Sequence, residues 1–233
     1  MSEGSPRPGT PTLDVRRLGR LAYADGLGLQ EELVRARREG HVPDTLLLLE
    51  HPHVLTLGSG ATNANVLASE AEREERGIEL FHTGRGGDVT YHGPGQLIGY
   101  PILHLDPERR DLHRYLRDLE AVLIDTLADF GLAGERIEGL TGVWVDGRKL
   151  AAIGIRVSSG WITSHGFALN VNTDLSYFDT IVPCGIRDRA VGSLADRLGH
   201  EVEISVVEDA VEAHFRARFG RDGRIGVGTP PRS

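Results

Sequence analysis

Apolar residues recur at three- and four-residue steps in three stretches of the chain, Leu21 to Glu39, Leu112 to Phe130 and about Val207 to Phe219, and each predicts an amphipathic helix. The middle stretch is the most regular, and Gly131 follows it as a stop. For the last, Ser205 with Glu208 three residues on reads as a capping box at the helix start. Thr45 to Glu50 is instead a continuous apolar run, as expected of a strand buried on both faces, and Val54 to Gly58 follows the His51-Pro-His53 break as another strand. Val143 to Val157 reads as a hairpin turning at Asp146-Gly147, the dipeptide preferred in type I′ turns, and Trp161 to Asn172 as a returning strand. Helices mixed with hairpin-linked strands predict an α/β (α+β) fold with a mixed, largely antiparallel sheet covered by helices, rather than a doubly wound one.

Residues 1–12 and 221–233 are rich in Gly, Pro, Ser and Thr without apolar periodicity, and read as flexible tails on a single domain spanning 13–220. A formal charge of −8 opposes non-specific attraction to nucleic acid or anionic membrane. No apolar run reaches the roughly 20 residues of a membrane helix, and the N-terminus lacks the apolar core of a signal peptide. The expectation is a cytoplasmic protein that binds neither nucleic acid nor membrane.

Chemistry concentrates in a few places. Cys184, the only cysteine, stands between Pro183 and Gly185, which favour a turn. It reads either as a nucleophile or as a small buried hydrophobe. Gly84 to Gln96 holds five glycines with Arg85, Thr90, His92 and Gln96, the composition of a binding loop or of a tight turn without a ligand. It lacks the third glycine of a dinucleotide fingerprint, since Val89 stands there. Gly142 to Gly147 has the glycine spacing of a phosphate loop, but the lysine is displaced and the context is a hairpin. Lys149 opens an apolar strand, where it is either a solvated surface residue or one fitted for proton transfer or for pairing with a thiolate. His51, His53, His82 and His92 lack the Cys or carboxylate partners of a zinc site, so no metal is expected.

Four segments, Arg85-Gly-Gly-Asp-Val-Thr-Tyr-His-Gly-Pro-Gly-Gln96, Gly147-Arg-Lys-Leu-Ala-Ala-Ile-Gly154, His165-Gly-Phe-Ala-Leu-Asn-Val171 and Pro183-Cys-Gly185, occur in the order and approximate spacing of the lipoyl(octanoyl) transferases, the lipoate-protein ligase B family. The chain resembles that family from about Tyr23 to Phe219. The resemblance implies a fold related to biotin protein ligases and class II aminoacyl-tRNA synthetase catalytic domains. It implies transfer of an octanoyl group from octanoyl-acyl carrier protein to a lysine of lipoyl domains, in E2 subunits of 2-oxoacid dehydrogenases and in the glycine-cleavage H protein. Neither ATP nor any other cofactor is implied, because the thioester donor is already activated.

By the same resemblance Cys184 is the acyl-thioester nucleophile and Lys149 lowers its pKa; the acceptor lysine must then lose a proton before it attacks, and Lys149 is the best-placed general base. An ordinary thiol is only about 3% ionised at pH 7, so such help matters. Arg85, Gly86, Gly87, Asp88, Val89, Thr90, Tyr91 and His92, with Ala152, Ile153, Gly154, Gly166, Phe167 and Ala168, are implied to line the substrate site, and His165 to support it. An acidic carrier protein would need a local basic patch, for which Arg35, Arg37 and Arg38, or Arg187 and Arg189, are the candidates. Two rivals stay open at this level: an ATP-dependent lipoate or biotin ligase, which has no use for Cys184, and a non-catalytic module that binds lipoyl domains without turnover.

Overall fold

The computed structural model describes residues 13–105, 110–182 and 190–220. The two tails, Cys184, Arg187 and Arg189 lie outside the described residues.

Among the described residues ten strands form two sheets. The larger runs in the order β1 (Asp14–Arg20), β2 (Thr45–Glu50), β6 (Gln96–Ile102), β10 (Ile162–Asn170), β9 (Arg148–Ser158), β8 (Leu140–Val145) and β7 (Glu135–Ile137). Only the β1/β2 pair is parallel, so this sheet is mixed and largely antiparallel. The smaller sheet places β3 (Val54–Leu57) between β4 (Glu79–His82) and β5 (Val89–His92).

Strand alternation explains why β2 is apolar throughout. Leu46 and Leu48 join a core with helices α3 (Leu112–Asp129) and α5 (Ile204–Phe219), while Leu47 and Leu49 join another, with Leu33 of helix α1 (Tyr23–Arg38), on the opposite face. All four are essentially inaccessible, and burying each contributes about 2 kcal/mol. The sheet is thus covered by helices on both sides. A third cluster, with Leu55, Val89, Tyr91 and Phe178, sits on the small sheet.

Helix α3 starts where Asp111 accepts from the Arg114 amide at 3.1 Å, and it stops at Gly131, whose φ of +75° suits glycine. The 143–157 hairpin turns at Asp146 and Gly147, with φ of 51° and 72°, which removes the phosphate-loop alternative. One expectation fails. Helix α5 begins at Ile204 with Glu203 as N-cap and no side-chain cap, so Ser205 lies inside its first turn. Ile204 packs against the core and Asn172 brackets Val202 through both its amide and its carbonyl, which carries the helix start ahead of the predicted box. Helices α2 (Glu70–Glu75) and α4 (Leu194–Leu198) are too short for periodicity to announce.

Candidate active site

Strands β8 and β9 pair only near their turn. The register slips by one between Val143 opposite Ala151 and Trp144 opposite Lys149, leaving Leu150 as the extra residue. Such a bulge re-aims the side chains beside it. Beyond it β8 leaves β9, and the glycine-rich loop takes the vacated edge, Gly86 donating its N–H to the Ile155 carbonyl at 2.8 Å. The loop carbonyls of Arg85, Gly87 and Asp88 accept from Ser59, Gly60 and Gly58, which fixes the loop against the end of β3.

A cavity of about 340 Å³ opens between these parts. Arg85 through Thr90 and His92 form one wall, and Ala152, Ile153, Gly154, Gly166, Phe167 and Ala168 of β9 and β10 form the floor. Lys149 and His165 reach it as well. Small residues are needed along the floor: a Cβ on Gly154 would come within 3.0 Å of the Gly86 carbonyl and 3.2 Å of Arg85 Cδ, and one on Gly166 would clash with the backbone of Gly99. Tyr91 is the exception among the residues singled out from the sequence. Strand alternation in β5 turns its ring away from the cavity, to stack with Tyr177 and meet His53 Nδ1 at 2.8 Å through its hydroxyl.

The polar groups around the cavity are held by a continuous network. The Gly192 carbonyl accepts from Asn170 Nδ2 at 2.9 Å, so Asn170 Oδ1 must face Gln96 Nε2, at 2.8 Å. Gln96 Oε1 then faces His92 Nδ1 at 2.8 Å, which puts the imidazole proton on Nδ1. Burial, with His51 nearby, drives the His92 pKa down to about 3, and burial beside Arg85 and Arg156 drives that of His165 down to about 4. Both rings are neutral near pH 7. Arg85 is itself buried, donating from Nη2 to the Thr56 carbonyl at 2.6 Å and from Nη1 to the Gly86 carbonyl at 3.1 Å.

His165 has a φ of +55° inside strand β10, a conformation that costs a non-glycine residue roughly 1 to 2 kcal/mol. Phe167 pairs with Gly99, so His165 falls opposite Pro101, which has no N–H to offer the ladder. The displaced His165 amide donates instead to Gln30 Oε1 of α1 at 2.7 Å.

Sequence reasoning missed seven lining residues, Gly139 and Ile155 among them. Tyr23 and Tyr100 stand by His51, whose Nδ1 donates to the Leu21 carbonyl at 2.7 Å and whose Nε2 therefore accepts from the Tyr100 hydroxyl at 2.8 Å. Leu116 of α3 and the Leu140-Thr141 start of β8 close the other side. Leu116 was legible only as an apolar helix position.

The metal reading of the histidines finds other uses for them, since His51 and His53 bond to tyrosines and His92 to Gln96. Among the described residues no group of three His, Cys, Asp or Glu could hold a metal ion. Of the basic candidates, Arg37 is paired with Asp44 at 2.7 Å and Arg38 donates to Ser158 Oγ at 3.2 Å, while Arg35 is exposed. Among the described residues no helix is long and apolar enough to cross a membrane.

Residues 22–216 match the lipoyl protein ligase A/B catalytic domain family. An octanoyltransferase of Rubrobacter xylanophilus is 57% identical over 213 residues, 91% of this chain and 96% of that relative. The chain belongs to the octanoyltransferase family. Another octanoyltransferase, from Synechococcus elongatus, is 54% identical over 88% of this chain and 86% of its own length. As a member the chain is an enzyme, a transferase of the lipoyl(octanoyl) type. Its fold matches a lipoate-protein ligase A crystallised with ATP, at a TM-score of 0.73 with 20% identity, covering 88% of this chain and 85% of that one. A putative lipoate protein ligase from T. acidophilum with bound lipoic acid gives 0.72 with 17% identity, over the same shares of 88% and 85%.

Proposed function

We propose that the enzyme moves an octanoyl group from octanoyl-acyl carrier protein to the ε-amine of a lysine in lipoyl domains, those of E2 subunits and of the glycine-cleavage H protein, through a thioester on Cys184. The observation that carries this reading is how the described residues on either side of Cys184 in the sequence are held. Before it, the Val182 amide donates to the Asn65 carbonyl at 2.8 Å, and Asn65 Nδ2 holds Asp88 of the cavity wall at 2.6 Å. After it, the Ala190 carbonyl accepts from the Lys149 amide at 3.0 Å, and the Gly192 amide donates to the Lys149 carbonyl at 3.0 Å. The second tether, Lys149, is a residue of the cavity, and the first, Asn65, is bonded to one.

The chemistry then runs in two displacements. The Cys184 thiolate attacks the donor carbonyl, the new carbon–sulfur bond forms as the bond to the carrier-protein sulfur breaks, and the leaving thiolate takes a proton from the Lys149 ammonium, which becomes a neutral amine. The acceptor amine loses a proton to Lys149 as it attacks the acyl-enzyme, and the Cys184 thiolate departs. Gly154, Gly166, Ala152 and Ala168 leave the width that an unbranched chain needs, with Ile153 and Phe167 as apolar walls. The test is an assay of purified enzyme with octanoyl-carrier protein and a lipoyl domain, without ATP. A gain of one octanoyl group on the domain supports the reading; transfer only when ATP and free octanoate are supplied contradicts it.

A further inference from the structure

We infer that Glu120 is a positioning residue for Lys149, acting through the backbone of Gly142, an inference that rests on the role given to Lys149 above. Glu120 lies on the inward face of α3 and is 1% exposed, among Leu119 and Leu123. Its Oε2 receives Arg117 Nη1 at 2.7 Å and Arg136 Nε at 2.9 Å, and its Oε1 receives the Gly142 N–H at 3.2 Å. Only the carboxylate is buried, since Arg117 and Arg136 are 52% and 39% exposed, and ion pairs open to solvent on one side add little net stability. What the carboxylate does here is fix one backbone atom of β8 at the point where that strand leaves β9.

That point underlies Lys149. Gly142 has a φ of +132°, which side-chain-bearing residues rarely adopt. A Cβ there would lie 2.5 Å from the Ala151 carbonyl, 2.7 Å from Lys149 Cε and 3.5 Å from its Nζ. The bare Cα of Gly142 is therefore the surface along which the end of the lysine side chain runs. The same ammonium stands 5.1 Å from the centroid of the Trp144 ring, two residues along the strand. The strand that fixes Lys149 is thus itself fixed by Glu120, and Arg136 ties β7 into the same carboxylate.

Three variants test this, read by steady-state octanoyl transfer and its pH profile. Glu120→Leu keeps the helix packed but removes the acceptor, and kcat is expected to fall at least 10-fold with KM for the donor within about twofold. Glu120→Gln keeps an oxygen for the Gly142 amide and is expected to retain at least half of kcat. Gly142→Ala is expected to match Glu120→Leu and to move the midpoint of the pH–rate profile. Folded Glu120→Leu with wild-type kcat and pH profile overturns the inference, as does Glu120→Gln no better than Glu120→Leu. Lys149→Ala separates the two layers: wild-type turnover there removes the role of Lys149 itself, whereas an inactive Lys149→Ala beside a normal Glu120→Leu removes only the positioning.

Discussion

Gln96 holds His92 by its side-chain carbonyl at 2.8 Å, and because the Gln96 amide is committed to Asn170 the ring can carry its proton only on Nδ1. The neutral ring is part of the folded structure. His92 and His165 have folded pKa values of about 3 and about 4, below the roughly 6.5 of an unfolded chain. Their contribution to stability is therefore full above pH 6.5 and is lost as pH falls from there toward the folded values. Each costs about 1.4 kcal/mol per pH unit in that window. Urea unfolding from pH 7 to 4.5 is expected to steepen accordingly. His92→Gln is expected to reduce the slope by one proton; an unchanged slope contradicts the neutral assignment.

Gly154 and Gly166 are expected to respond differently to alanine. At Gly154 the new methyl presses on Gly86 and Arg85, so the loop yields and the effect is a higher KM for octanoyl thioesters with folding nearly intact. At Gly166 the clash is with the Gly99 carbonyl and Pro101, both backbone-bound, and a stability loss of about 1 to 3 kcal/mol is expected. Thermal melts beside steady-state kinetics distinguish the two.

Phe167 is buried, crosses the face of Gly99 and walls the cavity. Phe167→Leu is expected to admit longer chains, raising kcat/KM for decanoyl relative to octanoyl thioester by about 10-fold, the scale of a methylene-sized change in an apolar pocket. A competition assay with mixed acyl donors reads this ratio directly, and a fixed ratio would mean that another wall sets chain length.

Arg37 is committed to Asp44, which also receives the His104 amide, so it belongs to the structure rather than to a free patch. Arg35 and Arg38 remain. Reversing both to Glu is expected to raise KM for octanoyl-carrier protein several-fold and to leave a small octanoyl thioester unaffected. Equal effects on both donors would remove docking at this face.

Much of this site was legible because its chemistry is local. The glycines of 84–96 and the Asp146-Gly147 turn carry their backbone requirements in the sequence, and the all-apolar Leu46 to Leu49 carries its two-faced burial. What stayed hidden depends on register and on distance along the chain. No local signal turns Tyr91 away from Thr90 and His92 until β5 is known to be a strand, and nothing in α3 distinguishes Glu120 from an exposed glutamate until Gly142 is seen beside it. Strand β1 carries three arginines and pairs only at an edge, so it shows no apolar period. The Gln96–Asn170 bond spans 74 residues, a pairing that only the sheet creates.

The central claim is the covalent route, and intact-protein mass spectrometry tests it most directly. Wild type and Cys184→Ser are each mixed with octanoyl-acyl carrier protein in the absence of ATP. The account predicts one octanoyl group on the wild type, removed by hydroxylamine and by a lipoyl domain, and none on the variant. Full transfer to the lipoyl domain by Cys184→Ser, with no adduct on either protein, would contradict it and make the acceptor lysine the direct nucleophile.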